Sequence, residues 1–127
     1  MITVVAALIE KDGKYLIARR ATGDSNVLGK WEFPGGKVES NEDDFSAIER
    51  EIKEEFELEI KAVDFVVNNI CHYPNKTVNL KLYKCVYIKG DFKLHDHYEY
   101  KYVTKEQLLD YNLCAADIPL AKYVKEM

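Results

Sequence analysis

Apolar and polar residues along this chain follow two periods, and the switches between them mark out its elements. The opening run MITVVAALI is apolar up to Glu10-Lys11, which predicts a buried strand near Thr3–Glu10. Lys11-Asp12-Gly13 turns the chain into a second strand near Lys14–Arg20. A polar loop, Ala21–Lys30, leads to Trp31-Glu32-Phe33, and Pro34-Gly35-Gly36 predicts a turn. The period then lengthens: Phe45, Ile48, Ile52 and Phe56 recur at steps of three and four, one apolar face of a helix over Asp44–Phe56. Asp43 stands at its N-cap position and Asp44 in its first turn, where the helix dipole favours negative charge.

Beyond the helix the shorter period returns. Strands are predicted near Ile60–Asn68 and Thr77–Ile88, where Val78, Leu80 and Leu82 alternate with Asn79 and Lys81. After a turn at Lys89-Gly90-Asp91, Tyr98, Tyr100 and Tyr102 alternate with Glu99 and Lys101 in a further strand. Thr104 and Gln107 form a capping box that opens a short helix. A last helix is predicted over Ile118–Lys125, with Asp117 as its N-cap. Many strands and two substantial helices imply an α+β domain in which helices sandwich a mixed sheet.

A length of 127 residues fits one domain, residues 1–127, with one adequate core. At 47% hydrophobic and 31% charged residues the composition is that of a soluble globular chain, not a disordered one. The net charge of −4 argues against polymeric nucleic acid as a partner, which selects a basic face. It leaves a nucleotide open, because bound metal ions offset the charge of site and phosphates alike. Cys71, Cys85 and Cys114 are odd in number and lack CxxC spacing, so they read as reduced thiols of a cytoplasmic protein. The apolar opening is short, lacks a basic leader and runs into Glu10-Lys11, so it reads as a buried strand and not as a signal peptide or membrane span.

The densest chemistry lies between Gly36 and Leu58, GKVESNEDDFSAIEREIKEEFEL. At about 100° per residue, Glu51, Glu54 and Glu55 fall within roughly a 100° arc beside the apolar face. Ala47, one turn before Glu51, leaves room above it. Like charges at this spacing destabilise a helix. A hard divalent cation such as Mg²⁺ or Mn²⁺, which prefers oxygen ligands, resolves the conflict. The competing reading is a solvated face on an ordinary charged helix, with Lys53 beside Glu54 and Arg50 as an i,i+4 partner of Glu54. The glycines before the helix, together with Arg50, weigh against it.

Written as G-x5-E-x7-R-E-U-x-E-E-x-G-U (U apolar), this segment matches at Gly36, Glu42, Arg50, Glu51, Ile52, Glu54, Glu55 and Leu58. It resembles the Nudix box, the signature of hydrolases that cut nucleoside diphosphates linked to another moiety. WEFPGGKVE, LHDH and LCAADIPLAKY extend the resemblance, to the MutT subgroup, over nearly the full chain. The resemblance implies an α/β/α sandwich whose box, residues 36–58, forms loop–helix–loop. It also implies that Glu51, Glu54 and Glu55 hold metal or include the water-activating base, with the Gly35 carbonyl as a further ligand. Arg50 then orients the glutamates, Asp96 is an extra ligand or general base, and Arg20 contacts substrate. The single departure is Glu57, where the pattern has glycine in the left-handed conformation that ends a helix. Glutamate there costs roughly 1 kcal/mol, or the helix runs on.

Lys37, just inside the glycines, is placed to meet a phosphate, and Lys76 is a further basic candidate. Phe33, Trp31 and Tyr73 offer stacking surfaces for a base, or fill the core. Asp117 caps its helix, or, as the resemblance implies, points at the base edge; aspartate suits cytosine nucleotides and also 8-oxoguanine when protonated. The favoured reading is a house-cleaning, MutT-type pyrophosphohydrolase, monomer or homodimer, that converts 8-oxo-dGTP, CTP or 5-methyl-dCTP to NMP and pyrophosphate. Two others compete: a hydrolase of ADP-ribose or another nucleotide sugar, to which the position of Pro74 points, and a non-catalytic nucleotide sensor.

Overall fold

The computed structural model describes residues 1–127. Its elements run β1 (Ile2–Lys11), β2 (Lys14–Arg20), β3 (Trp31–Glu32), β4 (Gly35–Lys37), α1 (Asp44–Phe56), β5 (Glu59–Tyr73), β6 (Lys76–Lys89), β7 (His97–Val103) and α2 (Ile118–Lys125). The apolar run of β1 sets the layers, because successive side chains of a strand point to opposite faces. Val5, Ala7 and Ile9 pack with Ile48, Ile52 and Phe56 of α1, whereas Ala6 and Leu8 pack with Leu120, Ala121 and Val124 of α2. The sheet is therefore buried on both sides, and the fold is an α/β/α sandwich of α+β class.

The two edges of β1 are used differently, and this positions the site. On one edge it runs parallel to β6, from Ile2 opposite Val78 to Ile9 opposite Cys85. On the other it meets β2 only at the hairpin, where Glu10 lies opposite Tyr15. The two strands then diverge and residues 31–37 fill the wedge. Glu32 of β3 pairs with Ala18 of β2, and Gly36 of β4 pairs with Val5 of β1. Strands β7 and β5 complete the sheet against β2 and β6.

Pro34-Gly35-Gly36 is accordingly no turn. Gly35 and Gly36 lie in strand β4, and neither has a positive φ. They are needed for room: a Cβ on Gly35 would sit 1.9 Å from the Val5 carbonyl oxygen, and one on Gly36 would sit 2.3 Å from Cδ of Glu51. Glycine permits such close approach because it has no Cβ.

Helix α1 keeps its expected bounds. Asp43 caps it, accepting from the Ser46 amide at 2.8 Å. Glu57 ends it in the left-handed region at φ 56°, its N–H donating to the Lys53 carbonyl. Phe45 is 40% exposed, so it is not on the buried face; it meets Tyr83 edge-on at 5.4 Å. The buried face instead takes in Ala47. It lies nearer the carboxylates than the Phe45-based stripe implied, and Glu55, seven residues after Ile48, projects on its side.

The β5–β6 hairpin is longer than its apolar pattern, because pairing continues to Tyr73 opposite Lys76. Thr104 and Gln107 do exchange capping-box hydrogen bonds, but the helix they open is a single 3₁₀ turn, Leu108–Asp110. Helix α2 has its expected span, whereas Asp117 does not cap it. Its backbone is already helical, and its side chain turns inward.

Candidate active site

The wedge brings the end of β2, strands β3 and β4 and the C-terminal half of α1 together. Arg50 organises the first group of acids. It grips Glu42 with two hydrogen bonds, of 2.6 and 3.0 Å, a forked geometry suited to a carboxylate. Its Nη1 donates to Glu51 at 2.9 Å and to Glu54 at 3.2 Å, and its Nη2 to the Lys37 carbonyl at 3.0 Å. Glu42 is held by Arg50, and by the Glu39 amide, well below the usual carboxylate range. Glu51 lies against Gly36, and burial raises its proton affinity more than Arg50 lowers it.

Glu55 stands on the other side of this group. One of its carboxylate oxygens, Oε2, is buried and has no hydrogen-bond partner. Burial, followed by the charges of Glu32, Glu51 and Asp96, pushes its pKa up to about 8, against the opposing effect of Arg20. The three glutamates of the helix are thus not equivalent: Arg50 bridges Glu51 and Glu54, while Glu55 has no bond to Arg50 and feels the charges of Glu32, Glu51 and Asp96. Asp96 is exposed in the segment before β7, anchored by its carbonyl, which accepts from the Ala21 amide at 2.9 Å.

Glu32 links this region to the next. Its Oε1 accepts from Arg20 at 3.1 Å and its Oε2 from His97 Nε2 at 2.9 Å. Arg20 also donates to the Thr22 carbonyl. The His97 ring lies against Phe56 with centroids 5.0 Å apart, and its Nδ1 is buried without a partner. Asp117, only 5% exposed, accepts from the Phe33 amide at 3.0 Å through Oδ1. Burial and the neighbouring Glu32 raise its pKa well above the ordinary value. A protonated Asp117 has a donor to offer as well as an acceptor.

The Phe33 ring is in the core below α2, so what this residue offers the site is its amide, not a stacking face. Lys37 is exposed on β4. Lys76 sits at the tip of the β5–β6 hairpin, its Nζ 5.5 Å from the centre of the Tyr73 ring. Glu32 was not among the residues singled out from sequence. Its signal is a charged residue between two buried aromatics, Trp31 and Phe33.

Two acidic groupings could be asked to hold a cation. The atoms of Glu32, Cys114 and Asp117 lie within 4.8 Å of one another. Glu32 is already bonded to Arg20 and His97, and the Cys114 thiol is pushed up to about 12 by burial and by Asp117 and Glu32. That trio is suited to sharing protons. The donor set around Glu51, Glu54, Glu55 and Asp96 is all oxygen and contains a buried oxygen with no partner. This is the environment a hard divalent cation relieves.

A box helix bearing these acids, delivered to the wedge of a mixed sheet between two helical layers, defines a Nudix hydrolase. The sequence profile of the NUDIX domain matches residues 1–124, and the chain belongs to that family. Among its relatives, a protein of Escherichia coli K12 named CTP pyrophosphohydrolase is 38% identical over 120 residues, 94% of this chain and 88% of that one. A protein of Mycobacterium tuberculosis named putative 8-oxo-dGTP diphosphatase 2 is 33% identical over 90% of this chain and 81% of its own length. The crystal structure of a MutT protein from Methanosarcina mazei Go1 superposes with a TM-score of 0.84 at 29% identity, covering 98% of this chain and 91% of the other. No helix of this chain is long and apolar enough to cross a membrane.

Proposed function

We propose that this chain is a metal-dependent pyrophosphohydrolase of MutT type that converts nucleoside triphosphates to nucleoside monophosphate and pyrophosphate. The observation that carries this reading is the pairing of an Arg50-held carboxylate set with the buried, unpartnered Glu55 oxygen. Glu51, Glu54 and Glu55, with the Gly35 carbonyl and Asp96, would hold Mg²⁺ or Mn²⁺. A cation bound there neutralises phosphate charge and acidifies water. Arg50 fixes the directions of Glu51 and Glu54, so the set is organised before substrate arrives. Lys37 and Arg20 supply positive charge for the phosphates, Arg20 being steadied by Glu32.

Asp117 reads the base. With Oδ1 fixed by the Phe33 amide, its other carboxyl oxygen is left for the base edge, accepting from the cytosine 4-amino group when ionised or donating to O6 of 8-oxoguanine when protonated. The names of the two relatives, one a CTP and one an 8-oxo-dGTP hydrolase, agree with that choice. Lys76 and Tyr73, at the hairpin tip, would close over the base. A screen of NTPs, 8-oxo-dGTP, 5-methyl-dCTP and ADP-ribose with Mg²⁺ tests the reading. Expected are NMP and pyrophosphate from a triphosphate, none with EDTA, and ¹⁸O from labelled water in the pyrophosphate. Label in the monophosphate, or turnover of ADP-ribose alone, would refute it.

A further inference from the structure

Glu57 is the one position at which this chain leaves the pattern of its helix, and the side chain it gains there has a partner. The segment from Gly90 to Asp96 passes over the end of α1 and carries Asp96 toward Glu55. Several contacts bring it close. Gly90, at φ 118°, lies where a Cβ would come 2.7 Å from the Glu57 carbonyl oxygen. The Lys93 amide donates to the Phe56 carbonyl at 3.1 Å. Phe92 stacks on Tyr100 at 3.8 Å and meets Phe56 edge-on at 6.1 Å. Between these anchors and Asp96 the side-chain tie is Glu57, whose Oε2 lies 2.7 Å from His95 Nε2, with Lys93 Nζ 3.9 Å from Oε1.

We propose that Glu57 is a positioning residue: through His95 it latches the segment that presents Asp96 to the catalytic carboxylates. The inference rests on the proposed function, which gives Asp96 its task. Glycine would be the easier residue for the backbone at φ 56°, since glutamate is strained there. The glutamate is therefore not explained by the helix end it forms. It is explained by what its carboxylate reaches. His95 adjoins Asp96 directly, so fixing the imidazole restricts the backbone from which Asp96 projects.

The latch and the helix end make opposite demands on residue 57, and this separates them experimentally. Glu57→Gly relieves the strained φ and should raise Tm, while releasing the segment. The contact is exposed on both sides, so the expected loss in kcat is modest, about two- to fivefold, with KM unchanged. His95→Ala should reproduce that loss, and the double variant should be no worse than either single one, because contacting residues that act together are not additive. Amide exchange at Lys93 reads the same latch without any substrate, and should quicken by a similar factor in both single variants. Wild-type kcat in Glu57→Gly, or losses that multiply in the double variant, would overturn the proposal. Faster exchange in a protein that hydrolyses no triphosphate would retain the tie and refute the function it serves.

Discussion

Glu55→Gln should stabilise the protein in the absence of divalent metal, and by an amount that grows with pH. Glu55 has a higher proton affinity folded than unfolded: about 8 against an ordinary 4.5. Between those values the folded state holds a proton that the unfolded state releases, so raising the pH favours unfolding. The destabilisation is absent below about pH 4.5 and complete above about pH 8. Each tenfold change in proton affinity is worth about 1.4 kcal/mol, which sets a ceiling near 5 kcal/mol. Side-chain relaxation and partial access of water reduce this to about 2 kcal/mol. For a chain of this size that corresponds to roughly 6–10 °C in Tm. Glutamine keeps the size and loses the charge. Thermal melts in EDTA from pH 5 to pH 8.5 provide the assay. The two proteins should melt together at the acid end and separate steadily above it, with groups common to both cancelling. Mg²⁺ should then narrow the gap by stabilising wild type alone, as a ligand that binds only the native state must. A gap that stays constant with pH, or a Gln variant less stable throughout, would refute the account of Glu55 as a desolvated carboxylate awaiting a cation.

Two further perturbations test the neighbouring geometry. Gly36→Ala drives a Cβ to within 2.3 Å of the Glu51 carboxylate, at the end of a side chain, so turnover should fall by about tenfold or more while Tm moves little. Gly35→Ala meets the Val5 backbone at 1.9 Å instead, and should cost about 3 kcal/mol or more of stability by chemical denaturation. Asp117→Asn cannot disturb a cap that Asp117 does not make; it should shift the kcat/KM ratio of cytosine nucleotides to 8-oxo-dGTP by about tenfold. An unchanged ranking of substrates would remove Asp117 from base reading.

The helix was legible because its signals are local. A cap at Asp43 and an apolar repeat of three and four that ends at Phe56 are signals carried by neighbouring residues, and α1 has the bounds they imply even though Glu57 replaces the expected glycine. The strands were legible in position and less so in length, since pairing past Asn68 depends on the partner strand and not on alternation. What sequence did not reveal comes from the wedge between β1 and β2. Pro34-Gly35-Gly36 has the composition of a turn, and only the placement of Val5 and Glu51 beside it shows that the glycines are there for space. Asp117 has the position of a cap, and only the approach of Phe33, distant in sequence, turns its side chain away.

Glu32 had no local signal strong enough to nominate it, yet it touches both halves of the site. It holds Arg20 with one oxygen and His97 with the other, and its charge raises the proton affinities of both Glu55 and Asp117. A single carboxylate therefore acts both on Glu55, which we propose holds the cation, and on Asp117, which we propose faces the base, and it does so while bonded to Arg20 and His97.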